Sequence, residues 1–408
     1  MRILLVNNFY YYRGGDCTYL FSLKKLLEEK GHEVSVFAMH HPQNLESEYS
    51  KYFVSYINYD EEVRNINIVS GFKVLNRTIY SREARIKVEK LIEIEKPDIA
   101  HIQNIHHHIT PSIFYVLKKH NIPILWTLHD YTLICPNTSF LSHGRICEKC
   151  KNNKYFRPSI ERCKKDSFGA STMAALETTM HRIMRLTDIV DIFIAPSEFS
   201  RRKFLEYGFP ANKLVRLDLF TDIELPDKTK ESDYYIYAGR MAPEKGIKTL
   251  IDAAVKIDSC KLKIVGSGPL LRDMKAYASS KDKNNVIEFL GHKDREELIN
   301  LYKNCKFIVV PSEWYETSGL IIFEAFACGK PVVGSRIGGI PELVKDTERG
   351  LIFEPGDVED LSAAIKYLLN NPDLVDEMGQ NAKKFLEDEM GPEKHYEKLM
   401  EIYNQVLS

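Results

Sequence analysis

The chain has 408 residues, with 56 basic and 57 acidic side chains and a net charge of −1. This length predicts two domains rather than one. The balanced charge argues against a nucleic-acid-binding protein, whose domains usually carry a basic excess. No stretch approaches the ~18 uncharged apolar residues of a membrane span. The N-terminal run from Met1 to Asn7 is too short for a signal peptide, so we expect a cytoplasmic protein.

In the first half of the chain, short β-branched runs alternate with amphipathic segments. This alternation predicts a parallel sheet with helices on both faces. The predicted strands are 2–7, 33–38, 98–102, 122–128, 191–195 and 213–219. Between the first two strands, residues 16–30 carry apolar side chains at helical spacing, and Gly31 ends the predicted helix. The pattern is that of an α/β fold.

Two strand ends in this half carry candidate site residues. Gly14 and Gly15 follow the first strand and precede the first helix, so their backbone amides are candidates for lining a cleft, with a simple turn as the alternative. His129 and Asp130 end the fourth strand. A His-Asp pair at a strand tip favours a functional role over a structural histidine.

The first half also contains two groups of potential metal ligands. The run from His106 to His108 follows the third strand, but no carboxylate or cysteine stands nearby at ligand spacing, so we expect it to line a cleft. An insertion over 135–165 is rich in cysteine. Structural zinc, free thiols and a disulfide are its three interpretations, and a reducing cytoplasm disfavours the last. The four cysteines are Cys135, Cys147, Cys150 and Cys163.

A polar, proline-containing stretch over 223–233 predicts a linker, so the first domain is expected to span 1–222. The second half then restarts the alternation of strands and helices, and we expect a second domain over 234–390. Its predicted strands are 234–238, 261–265, 286–289, 307–310, 331–334 and 351–353. Ligands of such sheets bind beyond the carboxyl ends of the strands, where the loops described next are found.

Two loops of the second half have the composition of a phosphate site. The first contains Gly239 and Arg240, with Lys245 five positions after the arginine. The two side chains are expected to converge on a diphosphate. The guanidinium group of the arginine can donate two parallel hydrogen bonds, and the ammonium group of the lysine supplies a compact positive charge. The second loop contains Gly266 and Gly268, which allow a ligand to approach the backbone closely, although the third glycine of the dinucleotide fingerprint is absent.

Glu316 and Glu324 bracket a Thr-Ser-Gly turn that opens a helix of about three turns, which Gly329 and Pro331 end. The first N–H groups of that helix have no intrahelical partner and form an anion site. Glu324 lies on the face of the N-terminal turn, within reach of a sugar hydroxyl. The alternative is that both carboxylates are ordinary surface residues.

Together these motifs resemble the retaining nucleotide-sugar glycosyltransferases of family four over nearly the whole chain. The family has the GT-B fold, in which two Rossmann-like domains with parallel sheets face a central cleft. The motifs that carry the resemblance are Gly14-Gly15, His129-Asp130, Gly239-Arg240 with Lys245-Gly246, Gly266-x-Gly268-Pro269, and the Glu316-x7-Glu324 element followed by Ala-x-Ala-Cys-Gly-Lys-Pro.

The resemblance implies transfer of a sugar from a nucleoside diphosphate to an acceptor hydroxyl, with retention at the anomeric carbon and without a catalytic metal or other cofactor. The resemblance implies that the leaving diphosphate is stabilised by Arg240, Lys245 and the amides of Ser318, Gly319 and Leu320. It implies that Glu324 binds the ribose and that the backbone of Gly291 and His292 contacts the base. Glu316 and His129 are the implied contacts to the donor sugar. The absence of an Asp-x-Asp pair from the sequence is consistent with metal-independent departure.

The resemblance also bears on the partners. Where the family often has Gly-Phe-Gly, this chain has Thr317-Ser318-Gly319, so the sequence does not identify the donor beyond favouring UDP- or GDP-sugars. The acceptor is expected to be a glycan or a lipid-linked molecule of surface-polysaccharide or glycolipid assembly. The fold implies that a helix within 391–408 crosses back to the first domain. Basic residues of the insertion could meet an anionic membrane surface, with a solvated charge run as the alternative.

Two rival interpretations stay open. The first is a nucleotide-sugar epimerase or hydrolase on the same scaffold, which would form sugar products without an acceptor. The second is a non-catalytic nucleotide- or glycan-binding protein. The candidate residues Arg240, Lys245, Glu316 and Glu324 are all present, which argues against a degenerate site.

Overall fold

Two six-stranded parallel sheets organise the fold, one in each half of the chain. The structure is a computed structural model that describes residues 1–56, 80–223 and 233–408. Its first unit comprises Met1–Pro196, Ser200–Leu217 and Tyr396–Ser408, and its second comprises Ser197–Phe199 and Asp218–His395. Residues 224–232 of the predicted linker lie outside the described residues.

The strands of the first sheet are nearly fully buried because they are short apolar runs covered on both faces. They are β1 (Arg2–Val6), β2 (Glu33–Phe37), β3 (Ile99–Ile102), β4 (Ile124–Thr127), β7 (Ile192–Ala195) and β8 (Leu214–Arg216). A small antiparallel hairpin, β5 (Leu141–Ser142) and β6 (Arg145–Ile146), lies in the cysteine-rich insertion. The sheet order is β2-β1-β3-β4-β7-β8, so the winding direction changes between β1 and β3.

The helices of the first half follow the predicted alternation with the strands. They are α1 (Gly15–Glu29), α2 (Arg82–Glu95), α3 (Phe114–Lys119), α4 (Arg157–Glu161), α5 (Phe168–Ile183), α6 (Leu186–Ile189) and α7 (Glu198–Glu206). In α1 the apolar residues predicted from the spacing are the ones that the helix buries. No helix among the described residues is long and apolar enough to cross a bilayer.

The second sheet has the strand order of a dinucleotide-binding fold. Its strands are β9 (Tyr234–Ala238), β10 (Lys261–Val265), β11 (Ile287–Gly291), β12 (Ile308–Val310), β13 (Val332–Ser335) and β14 (Gly350–Phe353). Their order, β11-β10-β9-β12-β13-β14, is the 3-2-1-4-5-6 winding, whose switch point lies between β9 and β12. The loops after these two strands therefore flank the place where such sheets bind ligands.

Eight helices follow β9 in the chain. They are α8 (Ile247–Ala254), α9 (Leu271–Lys281), α10 (Arg295–Asn304), α11 (Leu320–Ala327), α12 (Ile340–Val344), α13 (Val358–Asn370), α14 (Pro372–Phe385) and α15 (Pro392–Leu407). From Tyr396 onward, α15 belongs to the first unit. Tyr403 is fully buried there, and its hydroxyl oxygen lies 2.8 Å from His101 Nδ1.

Candidate active site

In the second unit, the loops that follow β9, β10, β11 and β12 are joined at one edge of the sheet. Backbone hydrogen bonds link each loop to a neighbour, so the loops form one surface. These bonds run from Gly239 N to Val265 O at 3.0 Å, from Met241 N to Ser267 O at 2.8 Å, from Gly266 N to Gly291 O at 2.8 Å, and from Glu313 N to Glu244 O at 2.9 Å. The predicted site residues Gly239, Gly266 and Gly291 thus lie together.

Two glycines make this close approach of loops feasible. Gly266 has φ of +132°, and a Cβ there would lie 1.9 Å from Gly239 O. Gly268 has φ of +149°, and its Cβ would lie 2.6 Å from Met241 O. Only glycine fits such contacts and such dihedral angles without a shift of backbone. The glycines predicted from the sequence are therefore required by the packing of the loops themselves.

Glu316 and Lys245 form an ion pair between the loops after β12 and β9. Glu316 is buried, and Ser312 Oγ donates a second hydrogen bond to its Oε1 at 2.9 Å. Burial alone would raise the pKa of Glu316, but Lys245 and the hydrogen bonds from Trp314 and Ser312 lower it below its usual value. Glu316 is therefore a fixed carboxylate rather than the ordinary surface residue of the alternative interpretation.

The two cations of the predicted diphosphate site have separate partners. Arg240 is exposed and pairs with Glu244 in the same loop. Lys245 pairs with Glu316, and its ammonium group lies 5.1 Å from the centroid of the Trp314 ring. In this structure each of the two side chains is paired with its own carboxylate, and their convergence on a diphosphate stays a prediction. Their convergence would require an anion that competes with these carboxylates.

Helix α11 presents a free N-terminus beside this ion pair. No side chain caps the helix, because its N-cap residue is Gly319 with φ of +95°. The hydroxyl of Ser318 is buried and has no hydrogen-bond partner in the described residues. Unpaired N–H groups and a buried hydroxyl together favour an anion. The helix has eight residues, from Leu320 to Ala327, so it is shorter than the three turns predicted from the sequence.

Glu324 lies within α11 and is the most perturbed carboxylate of this region. Burial raises the pKa of Glu324 to about 7, although Arg295 and a hydrogen bond from Tyr302 act to lower it. Asp222 adds to the rise. A carboxyl group whose pKa is strongly shifted is a candidate site residue, and as a carboxylate it can accept hydrogen bonds from ligand hydroxyls. The predicted base contact, Gly291 and exposed His292, ends the adjacent strand β11.

In the first unit, the loops after β1, β3 and β4 form a second candidate surface. Asn104 N donates to Asn7 Oδ1 at 3.0 Å, and Asn8 Nδ2 donates to the His106 carbonyl at 2.8 Å. These bonds connect the two loops at the change of winding direction. Helix α1 begins at Gly15 without a side-chain cap. The Gly14-Gly15 element therefore stands at an uncapped helix start, and its role in lining a cleft stays a prediction.

His129 is positioned by a neighbour that the sequence did not indicate. Its Nε2 lies 2.6 Å from Gln103 Oε1, and its ring makes an edge contact with Tyr19. Burial lowers the pKa of His129, while Asp16 and Asp130 oppose that shift. The imidazole is therefore neutral near pH 7. Asp130 Oδ1 accepts a hydrogen bond from Thr132 N at 2.8 Å, a short-range turn contact.

A small cavity in the first unit brings several of these side chains together. It is lined by Gln103, Asn104, His106, Trp126, Thr127, Leu128, His129, Asp130 and Leu133. The cavity thus places the predicted His129 and Asp130 beside one residue of the histidine run. Gln103 is the lining residue that reasoning from the sequence missed, and only its place one residue after β3 could have suggested it.

The four cysteines of the insertion are unpaired by disulfide bonds. Burial raises the pKa of Cys135 to about 12 and also raises the pKa of Cys150. Among the described residues, one group of three potential ligands lies close enough to share a metal ion, and it is not in the insertion. It consists of His106, Glu177 and His181. The structural zinc site at Cys135, Cys147, Cys150 and Cys163 stays a prediction.

The fold and these two loop surfaces define the class of protein. Two α/β units with parallel sheets, one with the winding of a dinucleotide-binding domain, are the architecture of a GT-B glycosyltransferase. Comparison with solved structures confirms the fold. Sucrose-phosphate synthase from Thermosynechococcus elongatus has a TM-score of 0.71 and 20% identity, over 99% of this chain and 98% of that one. Anabaena HepE, in complex with UDP and glucose, has a TM-score of 0.63 and 16% identity, over 98% and 99%.

The chain belongs to Glycosyltransferase Family 4, whose model matches residues 13–225. A second model, described as glycosyl transferases group 1, matches residues 221–385. An uncharacterized glycosyltransferase of Methanocaldococcus jannaschii is 37% identical over 179 residues. That match covers 41% of this chain and 50% of the relative, so the two proteins share about half of their lengths. The family predicted from the motifs is confirmed.

Proposed function

We propose that this protein is a retaining glycosyltransferase that moves a sugar from a nucleoside diphosphate to an acceptor hydroxyl. The observation that carries the proposal is the ion pair of Lys245 with buried Glu316 beside the uncapped start of α11, at the switch point of the second sheet. This arrangement offers positive charge and unpaired amides to a leaving diphosphate, with a fixed carboxylate next to them for the sugar.

Departure of the diphosphate is the step that the second unit would assist. Lys245, Arg240 and the amides of Ser318, Gly319 and Leu320 supply the positive potential that a catalytic metal would otherwise provide. For Lys245 to act in this way it would exchange part of its contact with Glu316 for a phosphate oxygen. That exchange would leave Glu316 able to accept hydrogen bonds from the donor sugar. We therefore propose catalysis without a metal ion.

Recognition of the nucleoside would fall to the neighbouring loops. Glu324 would accept hydrogen bonds from the ribose hydroxyls, and the backbone at Gly291 and His292 would contact the base. UDP and GDP are the diphosphates we favour. The structure of Anabaena HepE contains UDP and glucose, which makes UDP the first nucleotide to test here.

In the first unit, His129 is the proposed contact to the donor sugar. His129, neutral and oriented by Gln103, would donate or accept a hydrogen bond at the donor sugar. Asp130 and the amides at Gly14 and Gly15 would lie along the same donor. In a reaction on one face of the sugar, the leaving phosphate takes the proton of the acceptor hydroxyl, so the C–O bond to phosphate breaks as the new glycosidic bond forms and no enzyme nucleophile is needed.

The acceptor is proposed to be a glycan or lipid-linked molecule of surface-polysaccharide assembly, reached at the inner face of a membrane. The insertion supports this with a basic run at Lys149, Lys151, Lys154, Arg157, Arg162, Lys164 and Lys165. Phe156, Ile160 and Phe168 are more than half exposed in the same region. Cationic side chains beside exposed apolar ones are the composition of a surface that binds anionic lipid.

Liposome sedimentation tests the membrane contact. Replacement of Lys154, Arg157, Lys164 and Lys165 by glutamine should lower binding to vesicles that contain anionic lipid, and sensitivity to salt should fall with it. A matched variant with four exposed lysines changed elsewhere, at Lys25, Lys90, Lys256 and Lys281, should bind as the natural chain does. Equal binding by both variants would contradict the proposed surface.

A product assay tests the transferase activity against its rivals. The protein is incubated with UDP- and GDP-hexoses, with and without a panel of glycan and lipid-linked acceptors. Diphosphate release that depends on an acceptor supports transfer, and the anomeric configuration of the product, read by proton NMR, tests retention. Free or epimerised sugar without an acceptor would indicate a hydrolase or epimerase. Nucleotide binding without turnover of any donor would indicate a binding protein.

A further inference from the structure

A buried face of α5 carries two residues that are unusual in a helix core. Glu177 and His181 are 4% and 3% exposed and stand one helical turn apart, so their side chains lie on the same face. His106, from the loop after β3, is 7% exposed and lies against them, with its ring centroid 5.9 Å from that of His181. Charged and polar side chains are rarely buried in this way unless they are paired or bind a metal.

The ligand atoms of these three side chains converge on a small volume. One atom from each of His106, Glu177 and His181 lies within 4.8 Å of the other two. A zinc ion with bonds of 2.0–2.1 Å in tetrahedral geometry would hold its ligand atoms about 3.4 Å apart. Small side-chain movements would close the difference. Across residues 1–56, 80–223 and 233–408, no other three potential ligands meet this condition.

The same three side chains have polar atoms without other partners. Glu177 Oε1, His106 Nδ1 and both ring nitrogens of His181 are buried and make no hydrogen bond within the described residues. Four unsatisfied polar atoms in one group of three side chains are exceptional, because buried polar groups are nearly always paired. A cation bound at this point would satisfy the carboxylate oxygen and a nitrogen of each histidine.

We propose that His106, Glu177 and His181 bind a divalent transition-metal ion, with Zn²⁺ as the best match. Two imidazoles and one carboxylate are a ligand set that zinc uses in proteins, and a water molecule would complete the tetrahedron. The site is separate from the cysteines of the insertion. It also stands apart from the proposed glycosyl transfer, which needs no metal, so either proposal can fail without the other.

Neighbouring side chains hold the ligands in place. His107 Nδ1 lies 3.0 Å from Glu177 Oε2, the oxygen that is not among the unsatisfied atoms. Asn8 Nδ2 donates to the His106 carbonyl at 2.8 Å. Hydrogen bonds of this kind orient metal ligands and tune their basicity. His107 has φ of +69°, in the left-handed region, so the turn that brings His106 and His107 to Glu177 adopts a backbone conformation uncommon for a side-chain-bearing residue.

The metal would tie the loop after β3 to α5. Because His106 also lines the cavity with His129 and Gln103, the ion would hold one wall of that cavity in position. We assign it an architectural role, because Glu177 and His181 are almost fully buried and a substrate could not reach the ion.

Metal analysis of the full-length chain tests the site. To remove the second possible ligand group, the assay uses a variant with Cys135, Cys147, Cys150 and Cys163 all changed to serine. After treatment with a chelator and dialysis against Zn²⁺, this variant should retain about one zinc per chain, an expectation set by the single ligand group. Addition of Glu177→Gln or His181→Asn should abolish retention. The matched changes Glu93→Gln and His40→Asn, at exposed positions, should not.

Spectroscopy of the cobalt-substituted natural chain provides a test that does not depend on the folding of the cysteine variant. Co²⁺ bound by two histidines and a glutamate should give weak ligand-field bands that His181→Asn removes and His40→Asn leaves in place. Circular dichroism checks that each variant is folded. Zinc retention unchanged by Glu177→Gln and His181→Asn, or no cobalt bands that depend on His181, would overturn the proposal.

Discussion

Lys245 and Glu316 form a partly buried ion pair that joins the loop after β9 to the loop after β12, across the switch point of the second sheet. Ser312 adds a hydrogen bond to the same carboxylate oxygen. The pair fixes the position of both charges before any ligand binds. If the protein binds a nucleoside diphosphate as proposed, this contact is the one that the phosphate perturbs.

The two members of this pair should differ in their effect on stability. Lys245→Met leaves a buried carboxylate without its cation and is expected to lower the free energy of unfolding by about 3 kcal/mol. Glu316→Gln in the same chain should recover most of that loss, because the uncompensated charge is then gone. Urea denaturation of the natural chain, both single variants and the double variant measures the coupling. Additive losses would contradict the structural pairing.

The contribution of Glu316 should depend on pH in one direction. Its pKa in the folded protein is lowered below the ordinary value of 4.5, so the stabilisation is fully present above that value and is lost as pH falls through the lower, folded pKa. The difference in unfolding free energy between the natural chain and Glu316→Gln should therefore shrink below about pH 4.5. Denaturation curves at pH 7 and pH 4 test this. A difference that grows on acidification would contradict the assigned direction.

Glu324 should release a proton when nucleotide binds. Its pKa is raised to about 7 in the free protein, so the carboxyl is about half protonated at pH 7. Hydrogen bonds from ribose hydroxyls favour the carboxylate and would lower that pKa. Calorimetry in buffers of different ionisation enthalpy should show release of up to about half a proton at pH 7 and almost none at pH 9. Proton release of the same size at pH 7 and pH 9 would contradict the assignment to Glu324.

Gly266→Ala should disrupt the joined loops. The added Cβ would lie 1.9 Å from Gly239 O at a dihedral angle that disfavours alanine. We expect a loss of at least about 3 kcal/mol in unfolding free energy, together with loss of nucleotide binding. Gly31→Ala is a matched control, because its φ is +80° but nothing lies within 4 Å of the added atom. That control should cost only about 1 kcal/mol. Equal losses in the two variants would argue against tight loop packing.

His129→Ala should lower kcat by about 100-fold while leaving UDP affinity unchanged, since the proposed contact is to the sugar rather than to the diphosphate. Gln103→Ala should produce a smaller loss, because it removes only the hydrogen bond that orients the imidazole. Single-turnover kinetics with the donor identified in the product assay separates the two effects. Weaker UDP binding by His129→Ala with unaltered kcat would contradict the assignment.

Much of the fold could be predicted from the sequence because apolar periodicity determines which segments are buried. Strands β9 and β10 have the bounds expected from the pattern, and helix α15 lies within the predicted range 391–408. The start of α11 was harder to place. Thr317 and Ser318 are compatible with a helix N-terminus, but the left-handed conformation of Gly319 delays the helix to Leu320, which local propensity alone does not indicate.

The side-chain partners in the site were less predictable because they come from distant segments. The sequence predicts that Lys245 contacts a phosphate but does not indicate its partner in the structure, Glu316, which lies 71 residues later. The sequence shows no carboxylate near the histidine run, so the run is expected to line a cleft. In the structure a carboxylate does lie beside His106, but it belongs to Glu177 on the distant helix α5. The i, i+4 spacing of Glu177 and His181 is visible in the sequence, but only their burial distinguishes them from an exposed pair on a helix.

Calorimetric titration with UDP, GDP and ADP tests the central claim most directly. The natural chain, Lys245→Met and Glu324→Gln are compared with Lys281→Gln, whose exposed side chain pairs with Asp252 on α8. We predict micromolar binding of UDP or GDP, an order of magnitude typical of nucleotide sites, that both site variants lose and Lys281→Gln keeps. Binding of no nucleotide by the folded natural chain, or binding that Lys245→Met and Glu324→Gln leave unchanged, would contradict the proposed donor site.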